Sequence, residues 1–222
     1  LLTVDSKAYE IPTVNKLLKL YDNYVPDATL QEDETPSEKS EEAAFLSALL
    51  STPVIIETKT WLQSNGLTPS NDRGFRQQLE DLWFTVYPRG FKKRSSSGFE
   101  HVFLGELKNG EISGFHNWIF FNHEEKTKKV NYLGWRKIID FPDKKGSIVK
   151  VTFNWTGTNK PTGTIFVGTS PELELALYTV CALAKPNRKC PISLGGKKFN
   201  LQTYTFIYKD NKTVISSAYP VV

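Results

Sequence analysis

Near residue 95 the spacing of apolar residues in this chain changes, and that change limits the fold more than any single motif does. Before it the period is helical. In "TVNKLLKLYDNY" (13–24), Val14, Leu17, Leu18 and Tyr21 share one face. "TPSE" (35–38) is a capping box with proline at the first helical position, placed to launch "EAAFLSALL". Thr52, Pro53 and Gly66 bracket a third helix, and a fourth in "NDRGFRQQLEDLWFTVY" stops at Pro88. After residue 95 the segments 99–107, 132–141, 147–155, 163–168, 199–208 and 213–222 are rich in β-branched and aromatic residues and read as strands. "HNWIFFNHEEKT" and "SPELELALYTVCALA" read as helices between them. Helices first and then mostly strands predict an α+β fold in one domain of 222 residues, long enough to bury a proper core.

No apolar run approaches the roughly 18 residues of a membrane helix. The chain contains no Met, so its first residue is expected to be a processing boundary. A net charge of +4 permits an anionic partner without demanding one. The charge is unevenly spread: residues 31–42 are acidic, while 87–98 and 184–190 are basic. Cys181 and Cys190 are too few for a disulfide scaffold or a zinc site; they either close one small loop or stay reduced. Asn154 and Asn211 head glycosylation-type triplets, which favours a secreted or endomembrane location and leaves the cytoplasm and nucleus open.

The chain has only three histidines, and two flank an Asn-Gly pair in "GFEHVFLGELKNGEISGFHNWIF" (98–120). Asn109-Gly110 predicts a type I′ hairpin in which Lys108 faces Glu111. Counting outward, Phe103 faces His116, and His101 lies two residues along on the same face. Diagonal neighbours of this kind have Cβ atoms roughly 7 Å apart, room for a phosphate between two imidazoles. Two such rings could divide RNA cleavage into base and acid steps, with a cation to meet the charge on the phosphorus. Equally, one ring could be a hydrogen-bonded core residue. His123 reads as a solvated helix residue, and "HEEKT" is not a zinc motif.

The stretch "SSSGFEHVFLGELKNGEISGFHNWIFF" closely resembles the signature of the EndoU family, the XendoU-like uridylate-specific endoribonucleases. "NKPTGTIFVGTSPELELALYT" (159–179) and "ISSAYPVV" (215–222) resemble its two later blocks, in the right order. The resemblance implies antiparallel-sheet lobes behind a helical part (1–90), with a cleft between them. One lobe (91–145) would carry the histidines and the other (146–222) the lysine and uracil site. It implies that His101, His116 and Lys160 are catalytic, that Glu100 and Glu106 support them, and that Thr164, Ser217 and Tyr219 surround uracil. Of the histidines, His116 is expected to be the acid and His101 the base.

The residue chemistry suits those assignments. Lys160 is a compact charge for a phosphate oxygen, Tyr219 offers a stacking face, and the Ser217 hydroxyl can both donate and accept. Arg89, Lys92, Lys93 and Arg94 are expected to hold neighbouring phosphates. Glu100 and Glu106, at even spacing, would share the face opposite His101, where they could bind a divalent ion or pair with lysines and orient the site from behind. The family implies manganese, or calcium, as an activator rather than a Lewis acid, and its ligands are unassigned. The expected partner is single-stranded RNA bound by a monomer, with anionic phospholipid as an alternative ligand. Two rival functions stay open: a non-catalytic RNA or phospholipid binder, and a metal-dependent phosphodiesterase using water.

Overall fold

The computed structural model describes residues 1–89 and 93–222. The helical part forms as its caps dictate. After α1 (Pro12–Lys19), helix α2 (Pro36–Leu50) starts at the Thr35/Glu38 capping box. The hydroxyl of Thr52 caps α3 (Pro53–Ser64), and the side chain of Asn71 caps α4 (Asp72–Phe84). Each cap satisfies an amide that the first turn leaves without a partner.

The sheets that follow are antiparallel. A short hairpin joins β1 (Glu106–Lys108) to β2 (Glu111–Ser113), with Lys108 opposite Glu111 as the Asn-Gly turn predicts. Helix α5 (Trp118–Lys126) leads into a sheet of β3 (Val130–Asp140), β4 (Ser147–Trp155) and β5 (Thr158–Val167). Helix α6 (Pro171–Ala184) then leads to a second three-stranded sheet. Its strands are β6 (Lys189–Leu194), β7 (Lys197–Tyr208) and β8 (Lys212–Val221). Because β3 pairs with β4, the lobe boundary expected at residue 145 falls inside a hairpin, and β3 belongs with the sheet that carries Lys160. A disulfide between Cys181 and Cys190 ties the end of α6 to β6; closing so short a loop contributes about 2–3 kcal/mol. No helix among the described residues is long and apolar enough to cross a membrane.

The largest departure from the sequence reading is residues 99–107. Only β1 is strand there; Glu100–Leu104 form a π-helical turn closed by the Gly105 amide on the Glu100 carbonyl, 2.7 Å away. Alternation suits a strand with one wet face, but residues 99–106 are buried on every side. A short segment enclosed in this way satisfies its own backbone groups more readily as a coil turn. Aromatic packing fixes its place. Phe99 stacks on Phe84 and Phe103 with ring centroids 5.0 and 4.9 Å apart, and Trp83 meets Phe103 edge-on. These rings fasten the histidine-bearing turn to α4, so the helical part acts as its foundation.

Candidate active site

The two histidine segments are joined through their backbones. The Phe115 amide donates to the His101 carbonyl at 2.9 Å, and the His116 amide donates to the Val102 carbonyl at 2.7 Å. This is closer than the counted hairpin would bring them, because the ladder stops at Glu106–Ser113 and the chain turns inward. Gly114 makes the turn possible at φ +65°; a Cβ there would lie 1.7 Å from the His101 carbonyl oxygen. Phe115 also takes a positive φ of 67°, held by burial against Phe120, Phe121, Phe153 and Trp155. Gly114→Ala is therefore expected to cost at least about 3 kcal/mol in urea unfolding. Gly110→Ala, with positive φ but open space around it, should cost only about 1 kcal/mol. Equal losses would refute the close approach as the cause.

His101 lies between an acid and a hydroxyl. Its Nδ1 is 3.0 Å from Glu106 Oε2 and its Nε2 is 3.1 Å from Ser217 Oγ. A carboxylate only accepts, so Nδ1 carries the proton, and in the neutral ring Nε2 accepts from Ser217. Glu106 also accepts from Arg89 Nε at 2.8 Å and from the Ser96 hydroxyl. Burial alone would raise its pKa, but His101, Arg89 and Ser96 together pull it down to about 2. His101 itself lies below its ordinary value because burial and the Arg89 charge outweigh the Glu106 carboxylate.

His116 has a different environment. Its Nδ1 donates to the Thr164 carbonyl at 2.7 Å, which leaves Nε2 for a substrate, and its ring stacks on Tyr219 at 5.3 Å and 28°. Burial and the neighbouring Lys160 charge press its pKa well below the ordinary value, with no carboxylate to oppose them. Lys160 Nζ donates to the Ile112 carbonyl at 3.0 Å; burial lowers its pKa to about 8, so it stays largely charged at neutral pH. All three groups line one cleft of about 400 Å³, together with Thr164, Ser217 and Tyr219. β8 supplies the last two from the far side, so the site exists only where the two sheets meet.

The remaining predicted residues are placed elsewhere. Glu100 and Glu106 do not share a face away from His101, because the π turn breaks the alternation on which that expectation rests. Glu100 is 1% exposed and makes no hydrogen bond of normal geometry through its carboxyl group; the Ser96 hydroxyl beside it is directed to Glu106. Burial and the Glu106 charge raise its pKa well above the usual range, the opposite direction to that of Glu106. The two acids therefore do not present the paired carboxylate face expected to take a dication, and no three His, Cys, Asp or Glu among the described residues are placed to share a metal. Arg89 is turned inward, bonding Glu106 and, through Nη1, the Ser216 carbonyl at 2.7 Å. Arg94 pairs with Glu34 and the Val86 carbonyl. Lys93 is exposed and does not line the cleft, and Lys92 lies outside the described residues. His123 is not on a helix with His116, since α5 begins at Trp118; it is half-exposed against Tyr21 and Phe120.

Two supports have no counterpart in the sequence reading. Asn117 caps α5 through its side-chain oxygen and donates from Nδ2 to Glu174 at 3.2 Å, while Glu174 accepts from Thr169 at 2.6 Å. Burial raises the Glu174 pKa to about 8, so this acid is neutral where it braces the residue after His116. Neither the Asn117–Glu174 brace nor the Arg89–Glu106 pair has a local signature, since each joins residues well separated in sequence.

Fold and site together define an α+β protein in which two histidines and a lysine line one cleft between two antiparallel sheets. Residues 1–220 match the family model described as Endoribonuclease XendoU. A uridylate-specific endoribonuclease of Bos taurus is 39% identical over 222 residues, covering 98% of this chain and 53% of that protein. Uridylate-specific endoribonuclease B of Danio rerio is 37% identical, covering 98% and 77%. The solved structure of XendoU, described as a splicing independent snoRNA processing endoribonuclease, superposes with a TM-score of 0.79 at 31% identity, covering 99% of this chain and 82% of that one. The chain belongs to the XendoU endoribonuclease family, and it spans about half the length of the mammalian relatives it matches.

Proposed function

We propose that this chain is an endoribonuclease that cleaves single-stranded RNA at uridylates by attack of the 2′-hydroxyl on the adjacent phosphorus. The observation that carries the proposal is the convergence of two buried imidazoles and an ammonium on one cleft. In this reading the Nε2 of one histidine takes the 2′ proton as the 2′-oxygen bonds to phosphorus. The P–O5′ bond breaks, and the other histidine gives a proton to the departing O5′. The products carry a 2′,3′-cyclic phosphate and a 5′-hydroxyl. Lys160 meets the charge gathering on the non-bridging oxygens.

The two environments favour roles opposite to those expected from the sequence. His116, pressed toward neutrality, suits the base; His101, whose charged form Glu106 supports, suits the acid. Tyr219 offers a face for the base or ribose, and the hydroxyls of Thr164 and Ser217 can meet the uracil edge. A divalent cation, manganese or calcium, enters only as an activator outside these steps.

The test pairs an oligonucleotide containing one uridine with the same strand bearing 2′-deoxyuridine there, followed by mass analysis of the ends. The ribose strand should be cut to cyclic phosphate and 5′-hydroxyl termini, and the deoxy strand should stay intact. Cleavage of both would indicate water as nucleophile, and cleavage of neither would indicate a binder.

A further inference from the structure

Outside the cleft, β3 has an unusual surface for a sheet edge. Trp135 and Leu133 are 58% and 52% exposed, and Arg136 and Lys137 beside them are exposed too. The strand is irregular, with register shifts between Tyr132 and Gly134 and between Trp135 and Lys137. Bulges of this kind re-aim side chains and mark functional edges more often than chance.

Register connects this edge to the active site. Thr164 on β5 pairs with Lys150 on β4, and Lys150 pairs with Lys137 on β3. Thr164 and Lys150 both line the cleft, so Lys137 continues the same cross-strand row outward from it. Directly opposed residues point to one face, and two like charges opposed in this way destabilise a sheet. Yet neither Lys137 nor Lys150 has an ion pair or side-chain hydrogen bond among the described residues, and Arg136 likewise has none. An anion lying along the row would remove that repulsion. Trp135 pairs instead with Val151, so its indole belongs to the other face of the sheet and the row offers cations alone, which hold a strand through its phosphates.

We propose that Lys137, with Arg136 at the bulge beside it, forms a phosphate subsite for the nucleotides flanking the cleaved uridylate, with the RNA leaving the cleft over Lys150 onto β3. This rests on the nuclease reading above. The occupant is the substrate strand itself, because the surface is continuous with the cleft and its charge is complementary to a polyphosphate.

The experiment compares uridylyl-adenosine with a twelve-nucleotide strand holding one uridine, using the full chain and the variants Lys137→Ala and Arg136→Ala/Lys137→Ala. All replaced residues are exposed, and circular dichroism verifies that each variant folds. For the long strand, kcat/KM should fall in both variants, about tenfold in the double one, while the dinucleotide should be cut as by the unsubstituted chain. Binding of the long strand with 2′-deoxyuridine at the cut site should follow salt with a slope smaller by about 1.4 in the double variant, because two phosphates would no longer be neutralised. Equal losses on both substrates, or none on either, would overturn the subsite while leaving the nuclease intact. Failure of the unsubstituted chain to cut either substrate would instead remove the reading beneath it. Unchanged RNA binding with lost binding to phosphatidylserine vesicles would reassign the surface to a membrane and overturn the proposal.

Discussion

His116→Ala and His101→Ala are each expected to lower kcat/KM on a uridine-containing strand by about 10²–10⁴-fold, the usual reach of one acid or base. The two losses should respond differently to the leaving group. A substrate with sulfur in place of the bridging 5′-oxygen departs as a thiolate and needs no proton. His101→Ala should regain most of its rate on that substrate, while His116→Ala should stay slow because the 2′-hydroxyl still has no base. The contrast follows from the two surroundings: a carboxylate on Nδ1 in one ring, and in the other a neutral carbonyl with Lys160 near. Rescue of His116→Ala instead would exchange the roles. Rescue of neither would mean that bond cleavage to the 5′-oxygen is not assisted by either ring.

Glu106→Gln should have the largest effect on stability. The substitution keeps the shape and removes the charge that faces His101 and Arg89 inside the protein, with Glu106 2% exposed and Arg89 11% exposed at the side chain. Removing one partner of a buried ion pair costs about 3–5 kcal/mol. The pH dependence has a defined sign. Glu106 titrates at about 2 when folded, against about 4.3 unfolded, so its contribution is present above the unfolded value and fades as pH falls toward 2. Over that window the original chain should lose about 3 kcal/mol that the variant does not, and urea midpoints at pH 7 and pH 3 would record the narrowing. Glu174, whose raised pKa acts in the opposite sense, is common to both proteins and cancels in the difference. Glu100, raised in part by the Glu106 charge, shifts back in the variant and offsets part of the narrowing. A gap independent of pH would mean that the loss comes from packing and not from charge. Catalysis should fall as well, because His101 would lose the group that holds its tautomer.

Much of the fold is legible in the chain because its signals are local. The caps at Thr35, Thr52 and Asn71, the Asn109-Gly110 turn and the strands of the two larger sheets each lie within a few residues of their cause. Strand β6 is the exception, since Pro191 within it reads against a strand and is tolerated there at a sheet edge. The π turn is hidden for a deeper reason. Alternating Phe99, His101 and Phe103 satisfy the strand pattern, and only burial on all sides excludes it.

For the site, residue identity is available from the chain and residue relationship is not. His101, His116, Lys160, Thr164, Ser217 and Tyr219 are named from three sequence blocks, and they line one cleft. The sequence by itself determined which groups could exchange protons, where the chain had to turn, and that helices would precede sheets, because those properties belong to side chains and their near neighbours. Only the tertiary structure decided that Arg89 turns inward to Glu106 and that the Glu100 and Glu106 pKa values are pushed in opposite directions. The same holds for the two rings, which rest against different acceptors. Protonation depends on burial and on charges within a few ångströms, and those neighbours come from segments that a linear chain keeps as much as 116 residues apart.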